Sequence, residues 1–158
     1  MIPELNPRQR AWVEVSPAAI RANARALCQH LGPRTQLMAV VKADGYGHGA
    51  ETVARAALQG GATSLGVATL QEGLELRRAG LEAPVLLLSN LNEPDDLRTC
   101  LHWRLMPTLS SLRDAQLCNA LAADSGRCFD VQMKIDTGMA RLGCSLSEGH
   151  QTAAELKS

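Results

Sequence analysis

The stretch SLGVATLQEGLELRRAGLEAPVLLLSN, residues 64–90, decides the fold class of this chain. Its two ends, SLGVAT and VLLLS, are short apolar runs of the kind that form strands buried on both faces of a sheet. Between them, residues 70–79 carry apolar side chains at helical spacing, and Thr69 with Glu72 stands at capping-box spacing, which predicts a helix start. Because a helical crossover makes the strands on either side of it parallel, the stretch predicts one strand–helix–strand unit.

The same unit repeats along most of the chain at intervals of roughly 20–25 residues, which is typical of an α/β protein. Strands are predicted at residues 38–42, 64–69, 85–89, 105–109 and 130–136. Helices are predicted near residues 50–60, 70–79, 93–101 and 111–122, and a further one begins near residue 147. Pro107 would remove a hydrogen-bond donor from the fourth strand, so a bend or bulge is expected there. The strands should form one parallel sheet.

A shorter segment precedes the repeat. Residues 11–15 (AWVEV) alternate apolar and polar side chains and predict a short strand, after which Ser16 with the following proline predicts a helix start. A Gly-Pro pair should end that helix. We therefore expect an N-terminal strand and helix in residues 1–35 and the βα-repeat unit in residues 36–158.

Periodicity alone leaves two architectures open, the doubly wound sheet and the (β/α)8 barrel. A complete eight-stranded TIM barrel typically needs ~250 residues. The chain has 158 residues. If it is a barrel, it is a partial one that holds about five of the eight parallel strands.

The composition limits the classes of partner. The chain is 46% apolar and 20% charged, and its 16 basic residues equal its 16 acidic ones, so no net charge would hold it on nucleic acid or on an anionic membrane. No segment approaches the ~20 apolar residues that a membrane helix needs. The 5 cysteines are widely spaced and form no CxxC pair, which indicates neither a disulfide framework nor a metal site. We expect a cytoplasmic protein with a small-molecule partner.

The first candidate site is VVKADGYGHGA, residues 40–50. Lys42 ends an apolar strand, which places its ammonium at the edge of the sheet where α/β proteins bind ligands. The glycines that follow let the backbone turn sharply and approach a ligand, but their spacing matches neither a dinucleotide fingerprint nor a phosphate-binding P-loop. Taken residue by residue, the segment is more simply explained by a solvated lysine at the end of a strand followed by a plain glycine loop.

The second candidate site is MKIDTGMARLG, residues 133–143. The last predicted strand carries Lys134 and Asp136 into a turn, and Arg141 follows. An arginine fork suits a carboxylate or a phenolate oxygen better than the point charge of a lysine does. Taken alone, the segment is more simply explained as an ordinary loop of surface charges.

Both segments resemble the alanine racemase family. The first is similar to the family's lysine segment, an apolar pair followed by KA[DN]AYGHG, and departs from it at Gly45, where most members carry alanine and where we expect glycine to loosen the turn. The second matches the family pattern K-[VLI]-D-T-G-M-x-R-[LI]-G. The opening RAWVEVSPAAIRANARAL, residues 10–27, is also similar to the family's N-terminal region. The resemblance implies a fold type III barrel that binds pyridoxal 5'-phosphate (PLP).

The resemblance also implies roles for four residues. Lys42 would be the Schiff-base lysine that holds PLP and exchanges the substrate's α-proton, and Tyr46 would bind the cofactor phosphate. Arg141 would face the phenolic oxygen of PLP and the substrate carboxylate, and Lys134 would be the lysine that becomes carbamylated and orients that arginine. The implied reaction is the interconversion of L-alanine and D-alanine, which supplies D-alanine for peptidoglycan. Full-length members are expected to be homodimers.

The second catalytic base of the family is a tyrosine in a C-terminal β-domain, and the only tyrosine here is Tyr46. We therefore expect an N-terminal portion without the C-terminal β-domain, poorly stable and inactive as a racemase by itself. Three alternatives remain open: another fold type III PLP barrel such as a PLP-homeostasis protein or a decarboxylase, a racemase of broader specificity, and a non-catalytic fragment that binds PLP.

Overall fold

The computed structural model describes residues 11–91 and 93–156. The helices are α1 (Pro17–Leu31), α2 (Lys42–Gly47), α3 (Ala50–Gln59), α4 (Leu70–Arg78), α5 (Pro94–Trp103), α6 (Leu112–Ser125) and α7 (Leu146–Glu155). The strands are β1 (Met38–Val40), β2 (Ser64–Val67), β3 (Val85–Asn90), β4 (Leu105–Leu109) and β5 (Gln132–Met133). Among these residues, no helix is both long enough and apolar enough to cross a membrane.

The five strands form one parallel sheet in the order β1-β2-β3-β4-β5. The predicted parallel α/β sheet is therefore confirmed. A doubly wound sheet reverses its strand order at a switch point, whereas a barrel adds each strand beside the preceding one, so this order favours the barrel. The pairing of β3 with β4 shifts register between Leu86 and Asn90, opposite Pro107. The irregularity predicted from that proline is confirmed.

The hydrophobic core lies between the sheet and the helices that cover it. Leu65 of β2 and Val85 and Leu87 of β3 are 0% exposed, and burying each such side chain stabilises the fold by roughly 1.5–3 kcal/mol. Helix α4 comes close to the sheet at Gly73, where a Cβ atom would lie 3.1 Å from side-chain atoms of Leu87 and Leu105. The absence of a side chain at this position allows the helix to pack closely on the strands.

Helix α1 lies outside the repeat and packs on α3. Ser16 caps it as predicted, because its hydroxyl accepts the N–H of Ala19 at 3.3 Å. The two helices come close together at Gly60, where a Cβ atom would lie 2.6 Å from both the Ala24 Cβ and the Arg21 carbonyl oxygen. A side chain at position 60 would therefore push α1 away from α3.

Arg77, near the end of α4, joins the loops at the amino edge of the sheet. Its guanidinium donates to the carbonyl oxygens of Leu81 at 2.6 Å and Ala83 at 2.8 Å in its own loop. It also donates to those of Trp103 at 2.9 Å and Arg104 at 2.7 Å at the end of α5. Burial, with a contribution from the charge of Arg104, lowers the pKa of Arg77 from its ordinary value. The sequence did not indicate this role.

Two predictions about strands need correction. The strand predicted at residues 11–15 is wrong: this segment has no regular structure, and Trp12 and Val13 are 60% and 78% exposed. A strand needs a neighbouring strand to accept and donate its backbone hydrogen bonds, and an alternating sequence does not supply one. Within the described residues, no strand pairs with this segment. The last strand is shorter than the predicted residues 130–136, because Ile135 pairs with Cys144 instead of continuing along β4.

Candidate active site

The carboxyl edge of the sheet gathers the residues that the two motifs single out. Lys42 lies just beyond the end of β1, and Lys134 directly follows β5. Because the strands are parallel, both lysines leave the sheet at the same edge. The same edge carries a polar link between neighbouring strands, in which the Ser110 hydroxyl donates to Asn90 Oδ1 at 2.7 Å. Barrels of this class place their chemistry here.

The backbone after Lys42 forms a left-handed turn. Four consecutive residues have φ between 50° and 63° and ψ between 35° and 51°: Ala43, Asp44, Gly45 and Tyr46. Three of them are not glycine, and a residue with a Cβ atom costs about 1–2 kcal/mol in this conformation. Such a strained run persists only where the surrounding contacts impose it. The turn fixes the direction in which the chain leaves Lys42.

Contacts within the turn and with α3 provide part of that support. Asp44 Oδ1 accepts the N–H of Ala50 at 2.7 Å, which ties the turn to the start of α3. His48 Nδ1 lies 3.2 Å from the Gly45 carbonyl oxygen and 3.1 Å from that of Tyr46. Because a carbonyl oxygen only accepts, Nδ1 carries the proton in these bonds. His48 therefore supports the backbone of the turn.

Helix α4 supports the same turn through Glu72. Its Oε2 accepts the N–H groups of Ala68 at 2.7 Å and Thr69 at 3.1 Å. The Thr69 hydroxyl accepts the N–H of Glu72 at 3.2 Å, which confirms the predicted capping box. The second carboxylate oxygen, Oε1, accepts the N–H of Ala43 at 2.8 Å, a contact that spans 29 residues of sequence. A capping box does not require this second contact.

Lys42 and Tyr46 are brought together by the turn. Lys42 Nζ lies 5.9 Å from the centre of the Tyr46 ring, within the range of a cation–π interaction. Lys42 is partly buried, whereas Tyr46 is 59% exposed. In the part of the chain that the structure describes, the Tyr46 hydroxyl makes no hydrogen bond. It can therefore donate to a ligand bound above the turn.

Asp136 organises the loop that carries Arg141. Its carboxylate accepts the N–H of Gly138 at 2.9 Å and that of Ala140 at 3.1 Å. These backbone hydrogen bonds lower the pKa of Asp136 from its ordinary value. Gly143 returns so close to the strand that a Cβ atom there would lie 2.7 Å from the Asp136 nitrogen. Arg141 is exposed, and no described residue accepts a hydrogen bond from its guanidinium.

Lys134 reaches inward across the sheet. Its Nζ donates to the carbonyl oxygen of Leu88 in β3 at 2.7 Å, so the side chain crosses β4. No hydrogen bond or ion pair among the described residues joins Lys134 to Arg141. The structure thus places all four candidate residues at the carboxyl edge but brings only Lys42 and Tyr46 into contact.

The residues at this edge fit PLP by their chemistry. A primary amine can condense with the cofactor aldehyde, a free phenol can donate to its phosphate, and a guanidinium can face its phenolic oxygen. The turn also has room beside it, because a Cβ atom at Gly47 would have no neighbour within 4 Å. Lys42, Tyr46 and Arg141 are the residues that could hold the cofactor.

Sequence analysis named Asp136 and Glu72 but did not predict that their carboxylates support the two loops of the site. Asp136 had a local signal, because an Asp-Thr-Gly run favours a turn closed by the aspartate side chain. Glu72 was identified only as part of a capping box. Its contact with Ala43 joins two segments that are distant in sequence, and no local pattern predicts such a contact.

Comparison with known proteins places the chain in a family. The family model described as alanine racemase, N-terminal domain, matches residues 15–158. The chain is 64% identical over 143 residues to the alanine racemase of Prochlorococcus marinus, covering 90% of this chain and 37% of that protein. It is 55% identical over 136 residues to the alanine racemase of Synechocystis, covering 86% of this chain and 37% of that protein.

Solved structures give the same result. The crystal structure of alanine racemase from E. faecalis matches with a TM-score of 0.82 and 36% identity, over 90% of this chain and 39% of that one. The alanine racemase from Bacillus anthracis with bound L-Ala-P matches with a TM-score of 0.80 and 33% identity, over 92% and 38%. The chain therefore spans less than half the length of these relatives. The partial barrel is confirmed, and the chain belongs to the alanine racemase family, within the region described as its N-terminal domain.

Proposed function

We propose that residues 36–158 form the PLP-binding part of an alanine racemase, which interconverts L-alanine and D-alanine. The observation that carries the proposal is the placement of Lys42 on a strained turn at the carboxyl edge, with its Nζ 5.9 Å from the Tyr46 ring. Backbone strain costs stability and is typical of functional sites. The family of the chain supports the choice of reaction. We further propose that the full-length enzyme is a cytoplasmic homodimer that supplies D-alanine for peptidoglycan.

Each candidate residue has a task that its position allows. Lys42 Nζ holds the cofactor and moves the α-proton of the substrate on one face. The Tyr46 hydroxyl donates to the phosphate, and the Arg141 fork binds the phenolic oxygen of the cofactor and the substrate carboxylate. When bound, PLP supplies an electron sink for the carbanion that deprotonation leaves. The protein residues therefore supply attachment, orientation and proton transfer.

Lys134 has a separate proposed role. As an ammonium, it would repel Arg141 if the two side chains approached each other. A carbamate on Lys134 Nζ would be an anion, which could accept hydrogen bonds from Arg141 and fix its orientation. Growth with labelled bicarbonate followed by carbon NMR should then show one carbamate signal that Lys134→Ala removes. A labelled protein without that signal would refute the modification.

The covalent role of Lys42 is tested by trapping. PLP is added, the adduct is reduced with borohydride, and the modified lysine is located by peptide mass mapping. The chain has three lysines, Lys42, Lys134 and Lys157, so the assignment is unambiguous. We expect the pyridoxyl group on Lys42. Labelling spread evenly over the three lysines would contradict the proposal.

The reaction is tested in a chimera in which this chain replaces the matching segment of the Prochlorococcus marinus alanine racemase, to which it is 64% identical. We expect the chimera to convert L-alanine to D-alanine, and Lys42→Ala to lower the rate at least about a hundredfold, the scale of a lost general base. Lys157→Ala, outside both motifs, is the matched control and should leave the rate unchanged. Full activity of Lys42→Ala would refute the assignment, and faster racemisation of serine than of alanine would indicate a different substrate.

A further inference from the structure

We propose that Glu72 is a positioning residue for Lys42, holding the backbone N–H next to that lysine from a different helix. The inference rests on the proposed function of Lys42. The contact itself is between Glu72 Oε1 and the N–H of Ala43, at 2.8 Å. Ala43 is both the residue after Lys42 and the first residue of the left-handed turn.

The turn needs an external support at its first residue. Ala43 has φ 50° and ψ 51°, a conformation that disfavours any residue with a Cβ atom. Hydrogen bonds within the turn begin further along, with the Gly45 N–H donating to the Val41 carbonyl oxygen at 2.9 Å. The Ala43 N–H has no such partner inside the turn, so its hydrogen bond comes from α4. Glu72 therefore acts where the chain changes from strand to left-handed turn.

The carboxylate serves two structures at once. Oε2 accepts the N–H groups of Ala68 and Thr69, which fixes the carboxylate to the end of β2 and the start of α4. Oε1 is then directed at Ala43. Because β1 and β2 are adjacent parallel strands, this carboxylate joins the carboxyl ends of both. The neighbouring strand β2 and helix α4 thus help to set the position of Lys42 relative to the sheet.

A second capping box in the chain shows what Glu72 adds. At the start of α7, Glu148 Oε2 accepts the N–H of Ser145 at 2.9 Å, and the Ser145 hydroxyl accepts the N–H of Glu148 at 3.3 Å. Every hydrogen bond that the structure gives to this carboxylate comes from Ser145. Glu148 therefore has the local role of Glu72 without the distant contact, and it provides a matched control.

Glutamine separates the two roles of Glu72. A glutamine side chain can complete a capping box, but it has one acceptor oxygen and one NH2 group. In Glu72→Gln, the single amide oxygen can accept from the capping N–H groups or from the Ala43 N–H, but not from both. The amide NH2 group would then face the other N–H groups, from which it cannot accept a hydrogen bond. Glu148→Gln makes the same change in the control box. Thr69→Ala removes the other half of the α4 box and leaves the Glu72 carboxylate free to bind Ala43.

The experiment compares these variants in the chimera by hydrogen–deuterium exchange without added PLP. In Glu72→Gln, we expect exchange in residues 42–49 to become about tenfold faster, as the loss of one charge-assisted hydrogen bond implies. Neither Glu148→Gln nor Thr69→Ala should change exchange in that segment more than about twofold. With PLP, the concentration that half-saturates trapping at Lys42 should rise about tenfold in Glu72→Gln alone.

Unchanged exchange at residues 42–49 in Glu72→Gln, or an equal change in Thr69→Ala, would overturn the inference, because Glu72 would then only stabilise α4. If Glu72→Gln does not unfold cooperatively, Glu72→Asp provides the comparison, since it keeps the charge and withdraws the carboxylate from Ala43. Failure of the proposed function gives a different result. Trapping would then miss Lys42 in the unsubstituted chimera, while the exchange differences would remain.

Discussion

Replacing Gly45 by alanine should destabilise this chain. Alanine is the residue that the family resemblance of the lysine segment implies at this position. Gly45 is buried at φ 63°, and a Cβ atom there would lie 2.9 Å from Val53 Cγ2 and 3.3 Å from the Ala50 nitrogen. The left-handed conformation costs alanine about 1–2 kcal/mol. Relieving the overlap costs about 1–3 kcal/mol. Alanine also lowers the conformational entropy of the unfolded chain, which offsets about 0.4–1 kcal/mol of this loss. Together, these three contributions give an expected net loss of about 3 kcal/mol.

The assay is a double-mutant cycle measured by urea unfolding of the chimera. Val53→Ala removes the methyl group that the new Cβ would approach, so Gly45→Ala should cost at least about 1 kcal/mol less in that background. Gly47→Ala is the matched control: Gly47 has φ 83°, but a Cβ atom there would have no neighbour within 4 Å. Its effect should add to that of Val53→Ala within about 0.5 kcal/mol. Additivity in the Gly45 cycle as well would refute the steric argument.

Three further predictions concern other parts of the fold. Arg77→Met should lower the free energy of unfolding by about 3 kcal/mol, because four carbonyl oxygens lose the guanidinium that donates to them. The control Arg78→Met, at an exposed position, should change the free energy of unfolding by less than about 0.5 kcal/mol. The pKa of Asp136 lies below its ordinary value of 3.8, so the ionised carboxylate should stabilise its loop at every pH above 3.8. This stabilisation should be lost as the pH falls through the folded-state pKa. NMR shifts of the loop amides should follow this loss, and shifts that change already above pH 3.8 would contradict the prediction. Burial raises the pKa of Cys100 to about 12, so at pH 8 a disulfide reagent should label the exposed Cys128 and leave Cys100 unmodified until the chain unfolds.

The repeat was predictable from the sequence because its signals are local. The strands VLLLS and LMPTL could be read as strands because both faces of a covered sheet are apolar. Helix starts were also local, since Ser16 and Thr69 bind N–H groups three residues along the chain. The strand predicted at residues 11–15 failed because pairing depends on a distant partner. The order of strands needed the structure, since two architectures share the same repeat.

The sequence predicted candidate residues for the site but not the backbone geometry that holds them. The motifs identified Lys42 and Tyr46, but no propensity scale assigns left-handed backbone to alanine or tyrosine. That conformation is imposed by contacts from α3 and α4, through Ala50 and Glu72. The role of Gly45 was likewise hidden, because Val53 approaches it only in the folded chain. Whether glycine also loosens the turn stays a prediction.

Helix α4 runs between the two edges of the sheet and makes a different set of contacts at each. We therefore expect substitutions at its two ends to affect global stability and the geometry of the site separately. Its last turn carries Arg77, which binds loops at the amino edge, and its first turn carries Glu72, which supports Lys42 at the carboxyl edge. The helix of nine residues is about 13 Å long. Near its centre, Gly73 packs so close to the sheet that an added Cβ atom would lie 3.1 Å from the Leu87 and Leu105 side chains. Loss of Arg77 should therefore lower the unfolding free energy without changing exchange around Lys42, whereas loss of Glu72 should loosen Lys42 at a smaller cost in global stability. If both substitutions loosened the turn equally, α4 would be transmitting motion between the edges instead of isolating them.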